Sequence, residues 1–137
     1  MRWVTRADCH VDRTACAWLI RRHVDPDASF VFVTDPDRLP DDAIPFDIAG
    51  HPFSHHDGDC TFEVMLRHYG LATQALERLT RIVHEADVED ERYDAPEAAG
   101  LDAIVCGMGG LFDDAALLDA TVPVYDGLVA YLEGTRG

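Results

Sequence analysis

Apolar residues follow two rhythms along this chain. In the first third they come in short unbroken runs, and afterwards they recur at helical spacing. The run SFVFVT (29–34) is apolar and β-branched, the pattern of a buried strand. RWVTRA (2–7) and IPFDIA (44–49) read as a first and a third short strand, the latter ending in Gly50. Between the first two, residues 12–23 switch to helical periodicity. Ala15, Cys16, Leu19 and Ile20 form one stripe with Trp18 at its edge, Asp12 is placed as the N-cap, and Pro26 ends the segment. A helix resumes at residue 61, where Phe62, Met65, Leu66 and Tyr69 share a face and Gly70 is a natural stop. A longer one spans about 73–88, burying Leu76, Leu79, Ile82, Val83 and Ala86, with Thr80, His84, Asp87 and Glu91 as a second, polar stripe. From residue 97 the pattern gives two or three helices, interrupted by GMGG and by Pro123. Together these elements predict an α/β fold. A small, mostly parallel sheet of three to four strands lies in the N-terminal part with helices packed on it, and the C-terminal part is helical. No repeat, low-complexity tract or linker divides residues 1–137, so a single domain is expected.

Charge narrows the partners. The 137 residues hold 26 acidic against 11 basic side chains, a net charge of −15, and every basic residue is arginine. Direct nucleic-acid binding or adhesion to an anionic membrane by the whole surface is not expected, although a local arginine patch can still take an anion. No apolar run approaches the ~20 residues of a membrane span, and the N-terminus is unlike a secretory signal, so a cytoplasmic protein is expected. The four cysteines form no C-x-x-C, which argues against a zinc ribbon or a thioredoxin-type motif. Cys16 and Cys106 sit in apolar runs and read as core residues; Cys9 and Cys60 lie beside histidines and stay open as site residues.

Two polar stretches fall just beyond strand ends, where open α/β sheets bind ligands. The first, HVD (10–12), offers His10 and Asp12 to a divalent metal, or its turn amides to an anion; equally, Asp12 only caps the helix and His10 is exposed. The second, HPFSHHDGDCTFE (51–63), supplies His51, His55 and His56 as imidazoles and Asp57, Asp59 and Glu63 as carboxylates. Asp57-Gly58 marks a turn and Thr61 a helix cap, which predicts a fixed loop rather than a floppy one. A third group, HEAD (84–87), places His84 and Asp87 on one helical face, as in helical metal sites or on an ordinary polar face. Among the arginines, Arg6 and Arg13 flank the first turn and are candidates to clamp an oxyanion.

The segments HVDRTACAWLIRRHVDPDASFVFV, FDIAG, HHDGDCTFEVMLRHYGL, RIVHEADVED and EAAGLDAIVCGM closely resemble the ChrB-like chromate-resistance family, in the form of the domain found as the C-terminal half of longer ChrB proteins. The resemblance runs from about residue 3 to 132, and HVDRTACAWLIRR is its most specific part. It implies association with resistance to chromate, a tetrahedral oxyanion, without defining a reaction. In layout the chain is also similar to DHH-type metal-dependent phosphoesterases, with Ser54 standing where their motif has an aspartate. That likeness implies His10, Asp12, Asp47 and His55 as metal ligands, His56 facing the anion and Asp87 closing the shell.

The expected function is therefore a chromate-resistance protein that binds a divalent metal ion (Zn, Mn or Fe) and responds to an oxyanion docked on the metal and nearby arginines. A metal-dependent hydrolase of phosphoesters is the first alternative, with Asp87 or Glu63 taking the proton of a metal-bound water. A regulatory module working with a DNA-binding partner is the second. The expected ligand is a small oxyanion or phosphoester, and a homodimer is a candidate assembly.

Overall fold

A computed structural model describes residues 1–88 and 90–134. Three strands, β1 (Arg2–Arg6), β2 (Ser29–Val33) and β3 (Ala43–Pro45), form a parallel sheet with β1 in the centre, in the order β2-β1-β3. Trp3 pairs with Phe30 on one side and with Ile44 on the other. Trp3, Val4 and Thr5 are buried, as a strand flanked on both sides requires. The predicted third strand shrinks from 44–49 to three residues. Phe46 still donates its amide to the Val4 carbonyl (2.9 Å), but Asp47 turns into the left-handed region at φ 55° and breaks the extension.

Helix α1 (Val11–Leu19) runs on into a π-helical turn, Ile20–Val24, which together realise the predicted 12–23 segment. Asp25, ahead of Pro26, is extended. The N-cap, however, is His10, and Asp12 lies inside the first turn. Nearly every α1 side chain is buried, because α1 packs against α2 (Thr61–His68), α3 (Gln74–Val88), α4 (Glu97–Gly109) and α5 (Asp114–Leu132) as well as crossing from β1 to β2.

Two expectations about the C-terminal part change. Pro123 does not interrupt the chain: α5 runs through it, since Pro123 and Asp119 both face solvent and the carbonyl freed by the missing N–H is not trapped in the core. Cys106 is exposed on the outer face of α4 rather than in the core. By length and composition α5 is apolar enough to cross a membrane. Yet Leu117, Leu118, Tyr125 and Leu132 pack inward, and its Asp119 and Asp126 pair with Arg21 and Arg22.

Candidate functional site

Because the strands are parallel, the turn after β1 and the loop after β3 open at the same end of the sheet. Asp12, only 1 % exposed, projects from the first turn of α1. Its carboxylate does not cap α1. It accepts the amides of Thr61 and Phe62, each at 2.9 Å, and so caps the N-terminus of α2 across the crevice. Asp47 is aimed inward by its left-handed backbone. One oxygen accepts the Thr61 hydroxyl (2.7 Å) and the other Arg13 Nε (2.8 Å). Arg13 Nη1 turns away and donates to the carbonyl of Ala7 (3.0 Å), locking the turn that follows β1. His55 arrives on a tight hairpin: His56 and Asp59 exchange amide hydrogen bonds around Asp57 (φ 52°) and Gly58 (φ 85°), the geometry of a type I′ turn. Asp87 comes from the last turn of α3.

These side chains converge on one atom. His55 Nε2 lies 3.1 Å from Asp12 Oδ2, 3.3 Å from Asp87 Oδ2 and 3.5 Å from Asp47 Oδ1. The electrostatics reflect the crowding. The hydrogen bond to Asp12, with the charges of all three carboxylates, pushes His55 up to about 9. Burial, then the charges of Asp12 and Asp47, pushes Asp87 up to about 6. Burial and Asp12 likewise hold Asp47 above the ordinary carboxylate range. Arg6, Arg13, Ser54, His55, His56 and Asp87 border the open cleft beside the cluster, about 570 Å³ in volume. Arg6 is exposed there, and among the described residues its guanidinium has neither an ion pair nor a hydrogen bond.

Of the residues the sequence singled out, the fold thus brings together Asp12, Asp47, His55 and Asp87, with Arg6, Arg13 and His56 at the mouth. His56 Nε2 is 3.1 Å from the Pro52 carbonyl, and His51 stays outside the cleft lining. His10 lies elsewhere. As the exposed N-cap residue it borders a separate cleft of about 460 Å³ with Cys9, Cys106 and Asp114. His84 and Glu63 form a second cluster. Fully buried His84 pairs through Nδ1 with Glu63 and through Nε2 with Asp90 (2.9 Å). Glu63 also accepts the amide of Cys60 (3.0 Å) and the Tyr93 hydroxyl (3.1 Å). Asp90 and Tyr93 lie in the stretch DERYDAP after α3, which carries no periodic signal. Thr61 was read as a cap; its hydroxyl instead orients Asp47.

Comparison with known proteins places the chain in a family. The family model described as "ChrB, C-terminal domain" matches residues 3–132. The protein named "Protein ChrB" from Cupriavidus metallidurans is 40 % identical over 137 residues, covering 98 % of this chain. The chain spans 42 % of that relative's length. No solved structure matches. With the match covering both polar strand ends, α3 and all of α5, the chain belongs to the ChrB C-terminal domain family, the chromate-resistance family its motifs resemble.

Proposed function

We propose that this chain is a divalent-cation-binding domain that takes a small oxyanion beside the cation, and that it serves chromate resistance in this way. The observation that carries the reading is the convergence of three carboxylates, from α1, the loop after β3 and α3, on His55 Nε2. Ligand atoms bound to one ion at ~2.1 Å stand about 3.0–3.4 Å apart at octahedral or tetrahedral angles; His55 Nε2 stands at that spacing from Asp12 Oδ2 (3.1 Å) and Asp87 Oδ2 (3.3 Å), and just beyond it from Asp47 Oδ1 (3.5 Å). Three carboxylates against the single Arg13 guanidinium leave two negative charges, the complement of one divalent ion. Three oxygens and one nitrogen favour Mn²⁺ or Fe²⁺ ahead of Zn²⁺. The cation would supply a Lewis-acidic position for an oxyanion oxygen. Arg6, which has no ion pair or side-chain hydrogen bond among the described residues, and His56 border the cleft where the rest of the anion would sit.

The test is Mn²⁺ binding by calorimetry and metal analysis on the parent, His55→Ala and Asp87→Asn. Each substitution is expected to weaken binding at least ~10-fold, in line with the usual cost of disturbing a metal shell. Sulfate and chromate are expected to bind only the Mn²⁺ form, and more weakly to Arg6→Ala. Unchanged Mn²⁺ stoichiometry and affinity in both ligand variants would overturn the reading. Turnover of phosphoesters by the Mn²⁺ form would shift it from binding to hydrolysis.

A further inference from the structure

The second cluster has the composition of a different kind of site. Cys60, Glu63 and His84 are all buried, and one donor atom from each lies within 4.8 Å of the others. Cys60 occupies the N-cap of α2, a position usually held by Ser, Thr, Asp or Asn, whose oxygens accept the helix amides. A thiol is a weak acceptor there, but it is a soft metal ligand. The surroundings complete the pattern. His84 Nε2 is held by Asp90 (2.9 Å), as the outer nitrogen of a metal-bound imidazole is held by a carboxylate, and Glu63 is oriented by the Tyr93 hydroxyl (3.1 Å). Glu63 and Tyr93 also border a cleft of about 460 Å³ that gives access from solvent, flanked by Arg67 and Arg81.

We infer that Cys60, Glu63 and His84 form a second metal site, thiolate-bearing and selective for Zn²⁺, distinct from the oxygen-rich cluster at Asp12. With metal bound, the thiolate and the carboxylate would balance the dication beside a neutral imidazole, so no net charge would be buried. The close Glu63–His84 pair must open to about 3 Å to admit an ion with bonds of 2.0–2.2 Å. Nδ1 then serves as the ligand while Nε2 keeps its proton for Asp90.

The experiment is a Co²⁺ titration followed by absorption, on a Cys106→Ser background so that the exposed thiol contributes nothing. Thiolate ligation gives an intense near-ultraviolet charge-transfer band that oxygen and nitrogen ligands do not give. The expected result is one equivalent of that band, displaced by Zn²⁺, retained in Asp87→Asn and lost in Cys60→Ser. Tyr93→Phe, which leaves all three ligands in place, is expected to weaken Zn²⁺ binding about 10–100-fold. No band on the folded background protein, or a band that survives Cys60→Ser, would overturn the inference. The background measurement decides the matter even if Cys60→Ser fails to fold.

Discussion

Asp12→Asn tests the joint on which the site is built. Asp12 is 1 % exposed and accepts two amides at the α2 N-terminus, each at 2.9 Å. Hydrogen bonds to a charged group contribute about 1.5–3 kcal/mol each. Asparagine keeps one acceptor oxygen and sets its NH₂ against the other amide, so one strong bond is lost, the second becomes an ordinary one, and a buried donor is left unsatisfied. The gross loss is about 3 kcal/mol. Removing the charge gives some back. Asp87 is pushed up to about 6 chiefly by burial, with Asp12 the next cause, and relief of that repulsion offsets about 1 kcal/mol. The net expectation is a destabilisation of about 2 kcal/mol, or ~8 °C in melting temperature for a domain of this size. Urea and thermal unfolding followed by far-ultraviolet circular dichroism in EDTA measure it without any contribution from bound cation. His55→Ala leaves both amide bonds intact and removes instead the cation among the three carboxylates, so its cost should fall as pH rises through about 9. An Asp12→Asn protein within ~0.5 kcal/mol of the parent would refute the cross-crevice cap.

Other parts of the fold give equally concrete expectations. Arg22, with the Trp18 indole (2.8 Å), holds Asp126 below the ordinary carboxylate range. A depressed carboxylate adds stability above its unfolded value of about 3.9 that is lost as pH falls through the folded value. The unfolding midpoint should therefore drop below about pH 4, and Asp126→Asn should flatten that limb; an unaltered acid limb would deny the linkage. Cys106 is exposed, whereas Cys9, Cys16 and Cys60 are buried with their thiols pushed up by burial. A thiol reagent should titrate only Cys106 in the native, metal-free protein and all four cysteines after denaturation; rapid native reaction of a second cysteine would contradict the packing. Gly58 sits at φ 85° in the hairpin that carries His55, so Gly58→Ala should cost about 1 kcal/mol and weaken Mn²⁺ binding. Lower stability with unchanged Mn²⁺ affinity would separate the hairpin from the site.

The sheet was legible because its strands are short apolar runs separated by polar turns, and a parallel βαβ crossover leaves little choice of topology. Its third strand was overestimated, since no pattern announces that Asp47 takes a left-handed backbone. Asp12 was recognisable as a capping residue but was assigned to its own helix. The partner it caps is 49 residues away, and only tertiary packing supplies it. Cys106 looked like core because its neighbours are apolar, yet α4 buries only a narrow face. At the site, the position beyond adjacent strand ends was enough to bring the 10–12 and 55–56 segments to one crevice. What periodicity could not resolve was direction. His10 and Asp12 are two apart and face different clefts. His84 and Asp87 are one turn apart and serve different clusters, because the N-terminus of α2 meets α3 between them, with Glu63 on one side and the amides held by Asp12 on the other.

That arrangement determines what an occupant of the first site can change. Asp12 is held by two amides, and Asp47 by Thr61 and Arg13, whether or not a cation is present. Neither needs an ion to keep its orientation, so the proposed site would differ from small zinc domains whose fold depends on metal. His55 and Asp87 have no such anchors: among the described residues, the side chain of Asp87 pairs with His55, and that of His55 with Asp87 and the two fixed carboxylates. A ligand can shift a protein only through contacts that differ between two states. Under the proposed function, a bound cation and its oxyanion would act on the hairpin carrying His55 and on the last turn of α3. The last turn of α3 is adjacent to the turn that carries His84, and the α2 N-terminus held by Asp12 carries Cys60 and Glu63, so an occupant of the proposed oxygen-rich site would have two helical routes to the buried Cys60–Glu63–His84 cluster.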